Sequence, residues 1–323
     1  MTLPESVNLP LLERLRSDAV TFPLEDQSMF RLTGEDAASW LQGQATQDLR
    51  GLAAGESRPF CLCNATGQIE AIARAYQDPE GLLVTLDASS APTFADRLER
   101  MVIIEDVVGQ PWTGRGFSVQ GPTATDWISR HLVHSGLDAV SISVGGAAAW
   151  LLRRDRTGSG GWDLWTAGPE PEWWTELPVL GPTESRFAAL ESGIPKYWVD
   201  TDRKTLPPEL GRAFETDHVS YVKGCYLGQE VLQRIHSRGH TNRTWVAVVI
   251  DGLVVPRASV YGPDQRVVGS ITQAFQHPEL GTVAGAMVRN DTIDSGGPIS
   301  VDSPAGRVAG EIRALPIRNL FQD

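Results

Sequence analysis

Apolar positions along this chain switch repeatedly between a period of two and helical spacing. Phe30 and Leu32 alternate as on a strand, and past Gly34 the apolar residues Ala37, Trp40 and Leu41 take helical spacing. The same order returns at Phe117, Val119, Gly121, Ala124, Trp127 and Ile128, with Pro122 at the first helical position, where its missing N–H costs nothing. This repeat, 30–41 and 117–128, predicts two related α+β units about a pseudo-twofold axis. Between the copies the pattern predicts strands at 57–62, 69–76 and 82–86, a helix over 92–101 and a strand over 102–107. Ahead of them, 1–26 reads as an arm with a short helix around 11–15.

After the second copy come strands near 139–144 and 148–153, then a glycine turn leading into an aromatic strand at Trp162. A helix over 184–192 is closed by Gly193, and the aromatic segment from Ile194 ends in the carboxylate of Asp200. Beyond Arg243 short strands at 245–250, 254–255, 257–261, 267–273, 281–287 and 306–313 are divided by Gly, Pro, Asp and Asn turns, the texture of a small antiparallel barrel. The domain boundary therefore falls near residue 245, with 1–245 an α+β region and 246–323 a barrel.

Composition narrows the functional classes. A chain of 323 residues is too long for one core and implies two or three domains. Its 28 Lys+Arg against 40 Asp+Glu give a net charge of −12, which argues against direct nucleic-acid or anionic-membrane binding over the general surface. No apolar run is long enough to span a bilayer, and the first residues lack the basic region and apolar core of an export signal, so a cytoplasmic location is expected. Three cysteines do not make a disulfide framework. Cys61 and Cys63 point to one face of a strand, but no second close Cys/His pair completes a metal site, and none is expected.

The densest chemistry lies in Lys223-Gly-Cys-Tyr-Leu-Gly-Gln-Glu230, which joins a cation, a thiol, a phenol, an amide and a carboxylate just before helical spacing at Val231, Leu232 and Ile235. A helix N-terminus and Lys223 together lower a thiol's pKa, so Cys225 reads either as a reactive thiol or as a small buried residue between turn glycines. Lys223, Arg234, Arg238 and Arg243 face Glu230 alone, a local basic stretch in an acidic chain.

This motif, with Gly239-His-Thr-Asn-Arg243 behind it, closely resembles the signature of the YgfZ-type tetrahydrofolate-binding proteins, paralogues of the glycine-cleavage aminomethyltransferases. Leu41-Gln-Gly-Gln44, Asn64-Ala-Thr-Gly67 and Glu191-Ser-Gly-Ile-Pro195 extend the resemblance over nearly the whole chain. It implies an α+β fold of three lobes in a ring around a central folate cavity, closed by the C-terminal antiparallel β-barrel. It further implies a pterin-reading carboxylate at Asp200, wall or stacking residues at Tyr197, Trp198 and Tyr226, and a folate site shared with Lys223, Gln229 and Glu230. Arg243 would meet the anionic glutamyl tail, and Cys225 would be the functional nucleophile or redox-sensitive group.

One departure stands out. Aminomethyltransferases carry a catalytic Asp shortly after the Asn64–Gly67 turn, and in this register that place falls on Ile72, with Glu70 the nearest carboxylate. The resemblance therefore implies a tetrahydrofolate-binding protein that supports assembly or repair of iron–sulfur enzymes, including tRNA-modifying ones, with those enzymes or their assembly factors as partners and no cluster of its own. The alternatives are a folate-dependent aminomethyl or one-carbon transferase using Glu70 as base, and a folate-independent protein–protein adaptor that docks through its barrel.

Overall fold

A computed structural model describes residues 4–318 of the chain. The N-terminal arm crosses between lobes. Strand β1 (Glu5–Ser6) lies parallel to a barrel strand, pairing Glu5 with Phe275 and Ser6 with Gln276. Helix α1 (Leu9–Ser17) follows, with Asn8 accepting the Leu11 N–H as its N-cap, and β2 (Val20–Pro23) joins the second lobe.

The first lobe holds β3 (Gln27–Thr33), α2 (Ala37–Gln44), β4 (Ser57–Cys63), β5 (Ile69–Asp78), β6 (Gly81–Asp87), α3 (Ala91–Met101) and β7 (Val108–Pro111), with its strands in the order β4-β5-β6-β3-β7. The second has β8 (Arg115–Gln120), α4 (Ala124–His131), β9 (Ala139–Val144), β10 (Ala147–Arg153) and β11 (Gly161–Thr166), ordered β2-β8-β11-β10-β9. The repeat read from the sequence is thus β3–Gly34–α2 and β8–Gly121–α4. In both copies the glycine is sterically required. Gly34 has φ of 107° and a Cβ there would stand 2.0 Å from the Asp106 carbonyl oxygen, while Gly121 has φ of 125° and the corresponding distance to the Asp18 oxygen is 1.8 Å.

Helices α5 (Pro182–Glu191), α6 (Arg212–His218) and α7 (Gln229–Arg238) bridge to the barrel of β12 (Arg243–Ile250), β13 (Ser259–Tyr261), β14 (Val267–His277), β15 (Gly281–Arg289), α8 (Asn290–Ser295), β16 (Ile299–Ser303) and β17 (Gly306–Arg313). Its antiparallel ladders close on themselves, because β12 pairs with β15 and β17, β14 with β15 and β13, and β16 with β13 and β17. Val246, Val248, Ile250, Ile271 and Val301 fill it. A separate core joins the lobes, in which α1, α5, α7 and the barrel's Trp245 and Phe275 meet Cys61, Cys63 and Ile72 of the first sheet.

Three local expectations need correction. The strand predicted over 102–107 is a turn, since the Glu105 carboxylate accepts the N–H groups of Ile103 and Ile104, and the edge strand starts only at Val108. Val254 and Val255 are buried in a loop rather than a strand. Ile299–Ser303, which the pattern left unassigned, completes the barrel. Among the described residues no helix is long and apolar enough to cross a membrane.

Candidate functional site

The Lys223–Glu230 motif spends most of its polar groups inside the protein. Lys223 is buried, and its Nζ donates to the carbonyls of Gln42, Ala45 and Gln47 at 2.5, 2.6 and 3.1 Å. These carbonyls end α2 and its following turn, where the helix has unpaired acceptors and the negative end of its dipole. Burial lowers the ammonium to a pKa of about 8. Its three donors are committed to the backbone, so Lys223 is not free to meet a ligand. Tyr226 packs beneath, its ring 5.1 Å from Nζ, and burial pushes its phenol well up. Gly228, with φ of 84°, lies so close to the Asn64–Gly67 turn that a Cβ would be 2.5 Å from the Asn64 oxygen. Gln229 donates to the Lys223 carbonyl at 3.4 Å, and exposed Glu230 pairs with Arg234 at 3.0 Å. The side chain of Arg238 lies outside the described residues. Cys225 is exposed, contrary to the buried alternative, and Val222 beside it is 93% exposed.

Asp200, placed at the end of the Tyr–Trp segment, is fully buried and saturated by protein donors. It accepts from the Lys196 N–H at 3.0 Å, Thr272 Oγ1 at 2.7 Å and Gln273 Nε2 at 2.9 and 3.0 Å, which ties the segment to β14. Burial raises its pKa to about 6 against these hydrogen bonds. Its lone pairs are taken, so it is a brace rather than a ring reader in this arrangement. Tyr197 is half-buried, its phenol raised first by burial and further by the negative charges of Glu70 and Asp87. Trp198 is half exposed with φ of 63°, a conformation rare for a bulky residue, and its N–H donates to Thr201 Oγ1 at 2.7 Å. Arg243 is already matched, at 2.9 and 3.0 Å to Glu209 and at 3.3 Å to Asp202, leaving it poorly placed for a ligand's anionic tail.

A cavity of about 310 Å³ opens where the lobes meet. Its wall draws on the β2–β3 link, Ile72 of β5, Asp87 at the end of β6, Arg154 to Arg156 after β10, α5, residues 194–196 and Gln273 of β14. No residue of the thiol loop lines it. Burial raises Asp87 to about 6, with Lys196, Arg156 and Arg154 opposing and Asp26 reinforcing the shift, and among the described residues its carboxylate's one hydrogen bond is from Gln27 Nε2 at 3.3 Å. The catalytic place inferred for Asp is here a buried aliphatic, Ile72. Glu70 is held in an ion pair by Arg97, which also donates to the Cys63 carbonyl at 2.8 Å.

Comparison with known proteins places this geometry. No family profile matches the chain. It is 27% identical over 310 residues to an aminomethyltransferase of Herpetosiphon aurantiacus, covering 88% of this chain and 83% of that protein. It is 24% identical over 303 residues to the tRNA-modifying protein YgfZ of Aliivibrio fischeri, covering 90% and 91%. The crystal structure of the glycine cleavage system aminomethyltransferase T from Bartonella henselae superposes with a TM-score of 0.84 over 98% of this chain and 91% of that one, at 17% identity, which establishes the shared fold. This chain is a homologue of the aminomethyltransferase and YgfZ proteins. Within that superfamily, Asp87, Arg154 and Gln273 are cavity residues that sequence reading passed over. Arg154 alone carried a signal, as part of the charged run Arg153-Arg154-Asp155-Arg156 breaking an apolar hairpin.

Proposed function

We propose that this protein binds a reduced folate, tetrahydrofolate or a derivative, in the central cavity, and serves as a YgfZ-type factor for iron–sulfur enzymes, including those that modify tRNA. The cavity's size and mixed lining suit a pterin, with Phe22, Ile72 and Ile194 as apolar surface and Asp87 as an acceptor for ring N–H groups. One observation carries the choice between binding and aminomethyl transfer. The strand position facing the cavity is Ile72, which cannot take a proton, and the neighbouring carboxylate of Glu70 is engaged by Arg97. The relative named as a tRNA-modifying protein supports the cellular role. In this reading Cys225, presented to solvent with Val222 on a loop braced by Lys223, works on a partner rather than on the folate.

Calorimetric titration with tetrahydrofolate tests the binding step. The parent binds, and Asp87→Asn weakens affinity by about tenfold or more, the loss of a hydrogen bond to a charged acceptor. Formation of methylenetetrahydrofolate from an aminomethyl donor, lost in Glu70→Gln, would favour the transferase instead. Absence of folate affinity with a stable protein complex would favour the adaptor. For the cellular role, cells lacking the protein should regain the activity of an iron–sulfur tRNA-modifying enzyme with the parent and not with Cys225→Ser. Full rescue by that variant would remove the thiol from the function.

A further inference from the structure

The cavity's cations are unequally matched. Arg156 is clamped by Asp163 at 2.7 to 3.1 Å and also reaches Gln27 Oε1 at 3.0 Å, Arg186 pairs with Glu5 at 2.8 Å, and Lys196 pairs with Asp26. Arg154 lines the same wall and has no side-chain hydrogen bond or ion pair among the described residues. Its Nε is buried without a partner. Asp163, a buried carboxylate of β11, is already engaged by Arg156 from both oxygens. A second guanidinium, Arg74 on β5, adds to the local positive field and donates to Ser57 Oγ at 2.9 Å rather than to an acid. Burial first, then Arg74, lowers the Arg154 pKa to about 10 with Asp163 opposing, as expected of a walled-in cation that has no ion pair of its own.

An unpaired guanidinium in a low-dielectric wall is costly unless a partner arrives with the ligand, and the planar fork suits a carboxylate bonded through two N–H groups. We propose that Arg154 anchors a carboxylate of the cavity ligand, the glutamyl end of the folate. This rests on the folate reading of the cavity and deepens it. Asp87 accepts from ring N–H groups and Arg154 takes the anion, so the two ends of one ligand are read by opposite charges on a shared wall.

The test pairs two ligands with two proteins. Tetrahydrofolate and tetrahydropteroate, which lacks the glutamyl group, are titrated into the parent and into Arg154→Gln. The variant should lose about tenfold to a hundredfold in tetrahydrofolate affinity and keep its tetrahydropteroate affinity within about twofold. Arg154→Lys should recover part of the loss. Because the Arg154 side chain makes no hydrogen bond or ion pair among the described residues, the Gln variant should unfold in urea no earlier than the parent. Equal losses for both ligands, or none for tetrahydrofolate, would overturn the assignment. A parent that binds neither ligand would instead refute the folate reading on which it stands.

Discussion

The thiol-bearing loop and the central cavity make opposite use of polar residues. In the loop Lys223 caps three carbonyls, Gly228 seats against the Asn64–Gly67 turn and Tyr226 fills core, which leaves Cys225 as the chemistry offered to solvent. In the cavity, among the described residues, Arg154 has no ion pair and the Asp87 carboxylate has a single long hydrogen bond. Dense chemistry in sequence is therefore not the same as available chemistry in space. A buried polar group that is fully satisfied holds structure together, whereas one left short of partners marks where a ligand belongs.

The contrast can be broken most sharply at Lys223. Lys223→Met should cost about 3 kcal/mol or more of stability in urea unfolding, because three carbonyls at the end of α2 lose their donor. Once folded, that variant should retain tetrahydrofolate affinity, and a selective loss of binding with unchanged stability would reverse the roles assigned to the two regions. Asp200 gives an effect of similar size through pH. Its folded pKa of about 6 lies above the ordinary 3.8, so the folded chain takes the proton more readily than the unfolded one. Its stabilising contribution is full below about pH 4 and is lost as pH rises through about 6, roughly 3 kcal/mol for the whole shift. Asp87 titrates in the same direction, so the comparison of parent with Asp200→Asn isolates the Asp200 share. The parent should lose stability against the variant between about pH 4 and pH 7, and parallel pH curves would refute the buried, raised carboxyl.

Gly228→Ala comes next, at about 2 kcal/mol, from a Cβ forced into the left-handed region 2.5 Å from the Asn64 oxygen. The smallest effect belongs to Glu230→Gln. Its side chain is 88% exposed and its partner Arg234 is one turn away, so stability should move by no more than about 0.5 kcal/mol and folate affinity not at all.

Much of the fold was legible because it rests on local periodicity and on glycines with no steric alternative. Gly34 and Gly121 announced the repeat, and Gly193, with φ of 71°, ended α5 as its place after the helical run required. The run at 102–107 misled because its β-branched residues found no ladder, and the Glu105 side chain turned the backbone instead. The site was less legible for a spatial reason. Asp87 ends a strand of the first sheet, Arg154 follows β10 of the second and Gln273 lies on the barrel, and each is an ordinary residue in its own local context. Ile72 lies on β5 and lines the cavity, and alternation along that strand fixes which side chains share its face.

The most direct measurement is the crystal structure with tetrahydrofolate bound. The account predicts the ring in the central cavity against Ile72, its N–H edge within hydrogen-bond distance of the Asp87 carboxylate. Density for the ligand over the Cys225 loop, with the cavity unoccupied in the same crystal, would contradict it.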